Sequence, residues 1–136
     1  MASSRRVALI TGSATGIGKG IALAFSGGGY DVVINYSRSA DRAEETATNC
    51  RDLGVAALVV QCDVADDQAV CSMMEACRAE YGRLDVLVNN AGTTMETPPR
   101  KMDEVDLDEW DRVFAVNVRG LFQVSRAAAP LLRESD

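Results

Sequence analysis

The amino-acid sequence predicts an α/β fold built on a doubly wound parallel sheet. Apolar runs of strand length alternate with stretches of helical period along the whole chain. Those runs are continuous rather than alternating, as expected of strands covered on both faces. A glycine-rich turn, Thr11-Gly12-Ser13-Ala14-Thr15-Gly16-Ile17-Gly18, separates the first run from the first helical stretch. Right-handed crossovers then leave few topologies. At 136 residues the chain has the length of one domain, residues 1–136.

Residues 7–10 read as the first strand. Ile17, Ile21 and Phe25 follow at helical spacing, and Gly27-Gly28-Gly29 stops that helix. Residues 32–36 read as the second strand. Ser39 stands where it can cap the next helix, with Ala43, Ala47, Cys50 and Leu53 on one face and Gly54 at the end. Residues 56–61 form the third strand. Asp66 is placed to cap a helix that turns Val70, Met74, Cys77 and Tyr81 inward and closes at Gly82. Residues 84–88 form the fourth strand. A polar loop over 93–106 carries Pro98-Pro99, and 107–134 reads as one long helix with Pro130 as a candidate kink. The chain has no internal repeat and no low-complexity segment.

A net charge of −6 argues against nucleic acid as a partner, because phosphate binding calls for an excess of Lys and Arg. No apolar run approaches membrane-spanning length. The basic start, Met1-Ala2-Ser3-Ser4-Arg5-Arg6, is followed by an apolar run too short for the core of a leader. A cytoplasmic protein without membrane contact is expected. Cys50, Cys62, Cys71 and Cys77 form no Cys-x-x-Cys pair, and the chain has no histidine. Neither a metal site nor a disulfide framework is therefore expected, and Cys50 and Cys77 read as buried helix positions. The missing histidine also excludes a Ser-His-Asp or Cys-His mechanism within these residues.

The glycines at 12, 16 and 18 are spaced Gly-x-x-x-Gly-x-Gly. This is neither Gly-x-Gly-x-x-Gly nor a Walker A loop, since position 20, after Lys19, is Gly. Between a strand and a helix, such a turn brings backbone N–H groups to a phosphate at the positive helix start. Gly12 permits the tight turn, Gly16 a close backbone approach to a pyrophosphate, and Gly18 close helix packing on the sheet. Ser13 and Thr15 belong to the same candidate site.

Three further segments accompany the turn. Asp63-Val64 follows the third strand, Asn89-Asn90-Ala91-Gly92 follows the fourth, and Asn117 lies in Val116-Asn117-Val118-Arg119-Gly120. With these four segments in this order, the chain resembles the short-chain dehydrogenase/reductase family from Val7 to its last residues. The resemblance implies a Rossmann-type fold with strand order 3-2-1-4. It implies that Ile17 lies against the nicotinamide end of a dinucleotide; core packing is its other reading, and the two are compatible. It implies that Asp63 accepts a hydrogen bond from the adenine amino group, with the Val64 backbone alongside; a turn cap is the alternative for Asp63. It also implies that Asn89 braces neighbouring strands, while Asn90, Ala91 and Gly92 line the adenosine ribose.

The second strand ends in Asn35-Tyr36-Ser37-Arg38, with no acid before Asp41. An NAD-preferring site places an acid here for the ribose hydroxyls. Arg38 can instead hold a 2′-phosphate, with Ser37 or Ser13 as an added donor and Tyr36 beside them. NADP(H) is thus favoured and NAD(H) remains possible. Thr15 departs from the basic residue that many NADP-using relatives carry just before the second motif glycine.

Chemistry in the family is done by a Ser, a Tyr-x-x-x-Lys pair and a helical Asn that completes a proton relay. Of these only Asn117 is present: Tyr30, Tyr36 and Tyr81 are followed four residues on by Ile34, Ala40 and Asp85. The resemblance implies an N-terminal, cofactor-binding half, truncated after the long helix that precedes the fifth strand and inactive alone. For the complete fold it implies carbonyl reduction or alcohol oxidation on a small-molecule substrate. The enzyme would be like a 3-oxoacyl-acyl-carrier-protein reductase or a sugar or alcohol dehydrogenase, in a homo-oligomer, commonly a tetramer. Two other readings stay open: a non-catalytic NADP(H)-binding sensor, and a degenerate subunit that docks through the long helix. The fourth strand should form an unpaired edge, and Val113, Phe114, Val118, Leu121, Phe122 and Val124 should be only partly covered. An isolated polypeptide of this length is expected to be marginal, partly open or oligomeric.

Overall fold

A computed structural model describes residues 3–135; Met1 and Ala2 of the basic start, and Asp136, lie outside the described residues. The chain runs β1 (Val7–Ile10), α1 (Gly16–Gly27), β2 (Asp31–Tyr36), α2 (Ala40–Asp52), β3 (Ala57–Gln61), α3 (Asp67–Tyr81) and β4 (Val86–Val88). A 3-10 segment, Pro99–Glu104, interrupts the loop expected over 93–106. Then follow α4 (Leu107–Phe114), a π-helical turn (Ala115–Gly120) and α5 (Leu121–Glu134).

The four strands form one parallel sheet in the order β3-β2-β1-β4. All four residues of β1 are fully buried, as a central strand with helices on both faces must be. Successive side chains of a strand point to opposite faces. Val7, Leu9 and Val33 therefore pack with α3 and α5, including Val70, Met73, Val124 and Leu131. Ala8, Ile10, Val32 and Ile34 pack with α1 and α2, including Ala22, Ala43, Ala47 and Cys50. The Tyr81 hydroxyl donates to the Val32 carbonyl oxygen at 3.2 Å, which gives its polar tip a partner inside the first layer.

β4 is half-buried at the sheet edge. Trp110, Phe114, Val118, Leu121 and Phe122 remain exposed on the α4–α5 helix, whereas Val124 is buried. No helix of the described residues is long and apolar enough to cross a membrane.

Several local expectations are met. Gly82 ends α3 in the left-handed conformation at φ 67°, where a side chain would be strained. Asp66 caps the same helix by accepting from the Gln68 and Ala69 N–H groups at 3.0 and 3.1 Å. We expect Asp66→Ala to lower stability in urea unfolding by about 1 kcal/mol, the usual worth of an N-cap.

Others are corrected. Ser39 stands at the N-cap of α2, but its side chain makes no capping bond. Leu53 is 52% exposed because α2 stops at Asp52, so Leu53 leaves the helical face that buries Ala43, Ala47 and Cys50. The long helix is helical over its predicted span, yet its middle turn widens to π geometry. There Gly120 lies against the β3–α3 loop: a Cβ on it would come within 2.7 Å of Val64 Cγ2 and 3.0 Å of the Val64 carbonyl oxygen. Pro130 lies inside α5 without ending it.

Candidate functional site

The carboxyl ends of the strands open into a cleft of about 670 Å³. Its floor is the glycine turn after β1, with Gly12, Ala14 and Thr15. One side is the end of β2, Tyr36 to Ser39, and another is Cys62, Asp63 and Val64 after β3. Asn90, Ala91 and Gly92 after β4 line it too, and α4 closes it with Glu109, Arg112 and Val113. Ligands of open α/β sheets bind at such strand ends, where the chain order reverses.

Buried polar side chains hold the floor. Asn35 is only 1% exposed, an unusual residue at the end of an apolar strand. Its Oδ1 accepts the Gly12 N–H at 3.0 Å, while its Nδ2 donates to the carbonyl oxygens of Cys62 at 3.1 Å and Val60 at 3.3 Å. One amide thus ties the glycine turn to β3. The Thr11 hydroxyl accepts the Asn90 and Ala91 N–H groups at 3.0 and 2.9 Å. Asn90 Nδ2 returns two bonds, to the Thr11 and Gly12 carbonyl oxygens, both at 3.0 Å. From α2, the buried Thr46 hydroxyl donates to the Ala14 carbonyl oxygen at 2.8 Å.

The glycines fit this frame for different reasons. Gly12 has φ +62° and lies so near Ala91 that a Cβ would come within 2.9 Å of its Cα. Gly16 has φ +59° and open space around it. Gly18 is the tightest, with a Cβ there falling 2.2 Å from the Gly12 carbonyl oxygen and 2.6 Å from Asn90 Nδ2. Gly18 packs against the turn itself more than against the sheet.

The start of α1 is left open to an anion. Thr15 occupies its N-cap position without a side-chain capping bond, and no acid lies in the first turn. By contrast, α3 and α4 are capped by Asp66 and Asp106, and α2 carries Asp41 in its first turn. Uncapped N–H groups at a positive helix end are ready to donate to a phosphate or carboxylate.

Charge is arranged on the opposite side. Asp63 Oδ1 accepts the Ala65 N–H at 3.0 Å, the turn bond of its alternative reading, and Oδ2 accepts from the Arg112 guanidinium at 2.8 Å. Burial by itself would raise the Asp63 carboxyl. The Ala65 N–H, Arg112 and the more distant Arg38 outweigh it and hold the group below the usual carboxylate range. Arg38 lines the cleft with no ion pair of its own among the described residues. Cys62 is the reverse case: burial first, then Asp63 and Asp66, push its thiol up to about 11, so it stays neutral and unreactive.

Ten of the predicted site residues line the cleft: Gly12, Thr15, Tyr36, Ser37, Arg38, Asp63, Val64, Asn90, Ala91 and Gly92. Gly16 and Ile17 stand exposed at the start of α1, and Ile17, 78% accessible, is not packed in the core of the described residues. Ser13 is corrected as a phosphate donor. It is fully buried, and its hydroxyl donates to the Ile10 carbonyl oxygen at 2.7 Å while accepting the Asn35 N–H at 3.0 Å. The bracing expected of Asn89 falls to Asn90; Asn89 Nδ2 instead donates to Ser125 Oγ on α5 at 3.0 Å.

Asn117 lies in the π-helical turn and clasps the main chain of Thr93. Its Oδ1 accepts the Thr93 N–H and its Nδ2 donates to the Thr93 carbonyl oxygen, both at 2.8 Å. Glu109 holds the next part of that loop, accepting from the Thr97 N–H, the Thr97 hydroxyl and the Glu96 N–H. Those Thr97 bonds, with that of Glu96, keep its carboxyl below the usual range.

Among the tyrosines, Tyr81 cannot serve as a base. Burial, followed by nearby Asp31 and Glu80, raises its hydroxyl well above the ordinary value. Tyr30 pairs with Arg6 at 3.1 Å but precedes β2, at the end of the sheet away from the cleft.

Sequence reasoning missed Asn35, Thr46 and Arg112. A polar residue within the run Val32-Val33-Ile34-Asn35 was a usable signal for the first. For Thr46 and Arg112, on helices remote in sequence from their partners, no local pattern existed.

The sequence matches the family model for short chain dehydrogenases over residues 6–136. A 3-oxoacyl-acyl-carrier-protein reductase of Staphylococcus aureus is 39% identical over 128 residues, covering 93% of this chain and 51% of that protein. The chain therefore spans about half the length of the curated relatives it matches. A Burkholderia xenovorans structure described as a short-chain dehydrogenase/reductase superposes with a TM-score of 0.93 at 41% identity, covering 98% of this chain and 55% of that one. A short chain dehydrogenase from Burkholderia cenocepacia, solved in complex with NADP, superposes at 0.88 with 38% identity, covering 93% and 51%. A match over nearly the whole chain, on the same fold, makes this protein a member of the short-chain dehydrogenase family.

Proposed function

We propose that these residues are the dinucleotide-binding half of an NADP(H)-dependent oxidoreductase that interconverts a small-molecule carbonyl and alcohol. The observation that carries this is the uncapped start of α1, set on a braced glycine turn at the cleft that also holds Arg38 and Asp63. The residues present fit a dinucleotide: the turn presents main-chain N–H groups, and the glycines leave no side chain where backbone must come close. In this reading the α1 start and Gly16 take the pyrophosphate, and Arg38 with Ser37 takes the 2′-phosphate. Asp63 and Val64 receive the adenine, Asn90, Ala91 and Gly92 shape the ribose wall, and Ile17 lies toward the nicotinamide. The bound cofactor supplies the hydride that is exchanged with the substrate carbon. Asn117 is proposed as the proton-relay residue, held in place by its clasp on Thr93. A relative that acts on 3-oxoacyl-acyl-carrier-protein supports a carbonyl substrate of that kind.

Cofactor choice gives the direct test. Titration of the full chain, followed by nicotinamide fluorescence, is expected to show NADPH binding about tenfold or more tighter than NADH, the worth of charge-assisted bonds to one phosphate. Arg38→Ala should remove most of that preference while leaving NADH affinity nearly unchanged. Equal affinity of the unaltered chain for both dinucleotides would overturn the NADP(H) assignment.

A further inference from the structure

Arg112 takes no part in the cofactor contacts proposed for this cleft. It comes from α4 and reaches across the cleft to Asp63 on the β3–α3 loop. The pair contributes little to stability, since its side chains are 42% and 40% exposed. What it does achieve is geometric. With Ala65 N–H on Oδ1 and Arg112 on Oδ2, the carboxylate is gripped at both oxygens and its plane is set. A carboxylate oxygen has two lone-pair directions, so each still has one to offer. An ionised carboxylate only accepts: it welcomes an amino group and repels a carbonyl oxygen.

We propose that Arg112 is a positioning residue for nucleobase selection. Acting through Asp63, it fixes the carboxylate so that a purine with an exocyclic amino group is accepted and one with a carbonyl at that position is turned away. This rests on the reading of Asp63 as the adenine contact. Arg38, the other cation near Asp63, makes no bond to it among the described residues, so Arg112 is the side chain that works with the Ala65 N–H to orient it.

The test compares NADPH with its hypoxanthine analogue, in which a carbonyl oxygen replaces the adenine amino group, on the full chain by nicotinamide fluorescence. The unaltered chain should favour NADPH by about tenfold or more, the scale of one hydrogen bond to a charged group. Arg112→Gln should cut that ratio to about threefold or less, mainly through weaker NADPH binding. Arg112→Lys, which keeps the charge, should recover part of it. A merely structural role would weaken both ligands equally, and an unchanged ratio in Arg112→Gln would overturn the proposal. No recovery in Arg112→Lys would overturn it as well. Asp63→Asn separates the two levels. Should it abolish the preference while Arg112→Gln keeps it, Asp63 stands as the adenine contact and the role of Arg112 falls. An unaltered chain with no base preference would overturn both.

Discussion

Gly18→Ala is expected to destabilise the protein by about 3 kcal/mol, at the upper end of what overpacking costs. The sign is the opposite of the usual one. In a helix, Gly→Ala normally stabilises by up to about 1 kcal/mol, because alanine loses less backbone entropy. Here the added Cβ falls 2.2 Å from the Gly12 carbonyl oxygen, a main-chain atom of a turn held by Asn35 and Asn90. That carbonyl cannot move without loosening both bonds. Gly20, two residues on in the same helix, has nothing within 4 Å of its Cβ position. Gly20→Ala should therefore stabilise by roughly 0.5–1 kcal/mol. Urea unfolding of the two variants gives opposite shifts in midpoint if the packing is as described. Equal shifts would show that helix propensity alone acts at both positions and that the contact at Gly18 carries no cost. NADPH affinity should fall in Gly18→Ala, since the displaced turn carries the proposed pyrophosphate site.

Asn35→Leu should cost a similar amount, about 3 kcal/mol, by another route. Leucine fills much of the same space but offers no polar atom. The Gly12 N–H loses its acceptor, and the carbonyl oxygens of Cys62 and Val60 lose a donor. Stranding a buried polar group costs roughly 1–3 kcal/mol, and the single gain is one more apolar side chain in an apolar strand. The variant should also bind NADPH at least about tenfold more weakly, because the turn is no longer tied to β3. Unfolding and fluorescence titration measure the two effects separately. A variant as stable as the parent would show that water or relaxation replaces the lost bonds.

Much of the fold was legible along the chain. Continuous apolar runs identify strands covered on both faces, and β1 is buried at every residue. Asp66 and Gly82 were readable as the ends of α3, because capping depends on residues within one turn of each other. The strand order followed from the family resemblance and is found as expected. Some misreadings arose where a side chain's partner is distant, as Asn35 is from Ser13. Ser13 sits in the right turn with the right hydroxyl, but Ile10 and Asn35 consume it. Of the two asparagines at the end of β4, the resemblance gave the bracing to Asn89; the register of β1 against β4 gives it to Asn90.

By itself, then, the sequence determined the α/β class, the alternation of elements, the glycine turn and the set of segments that meet at the strand ends. Those are matters of local pattern: side-chain period, backbone freedom and capping. Only the tertiary structure decided which polar groups are spent in holding the site and which remain to serve it. Asn35 and Thr46 brace the turn, Ser13 is used up, and Arg112 reaches Asp63 from 49 positions away. Hydrogen-bonding capacity is limited and is shared out in three dimensions, so a residue type in a motif states what is possible and its neighbours in space settle what is left.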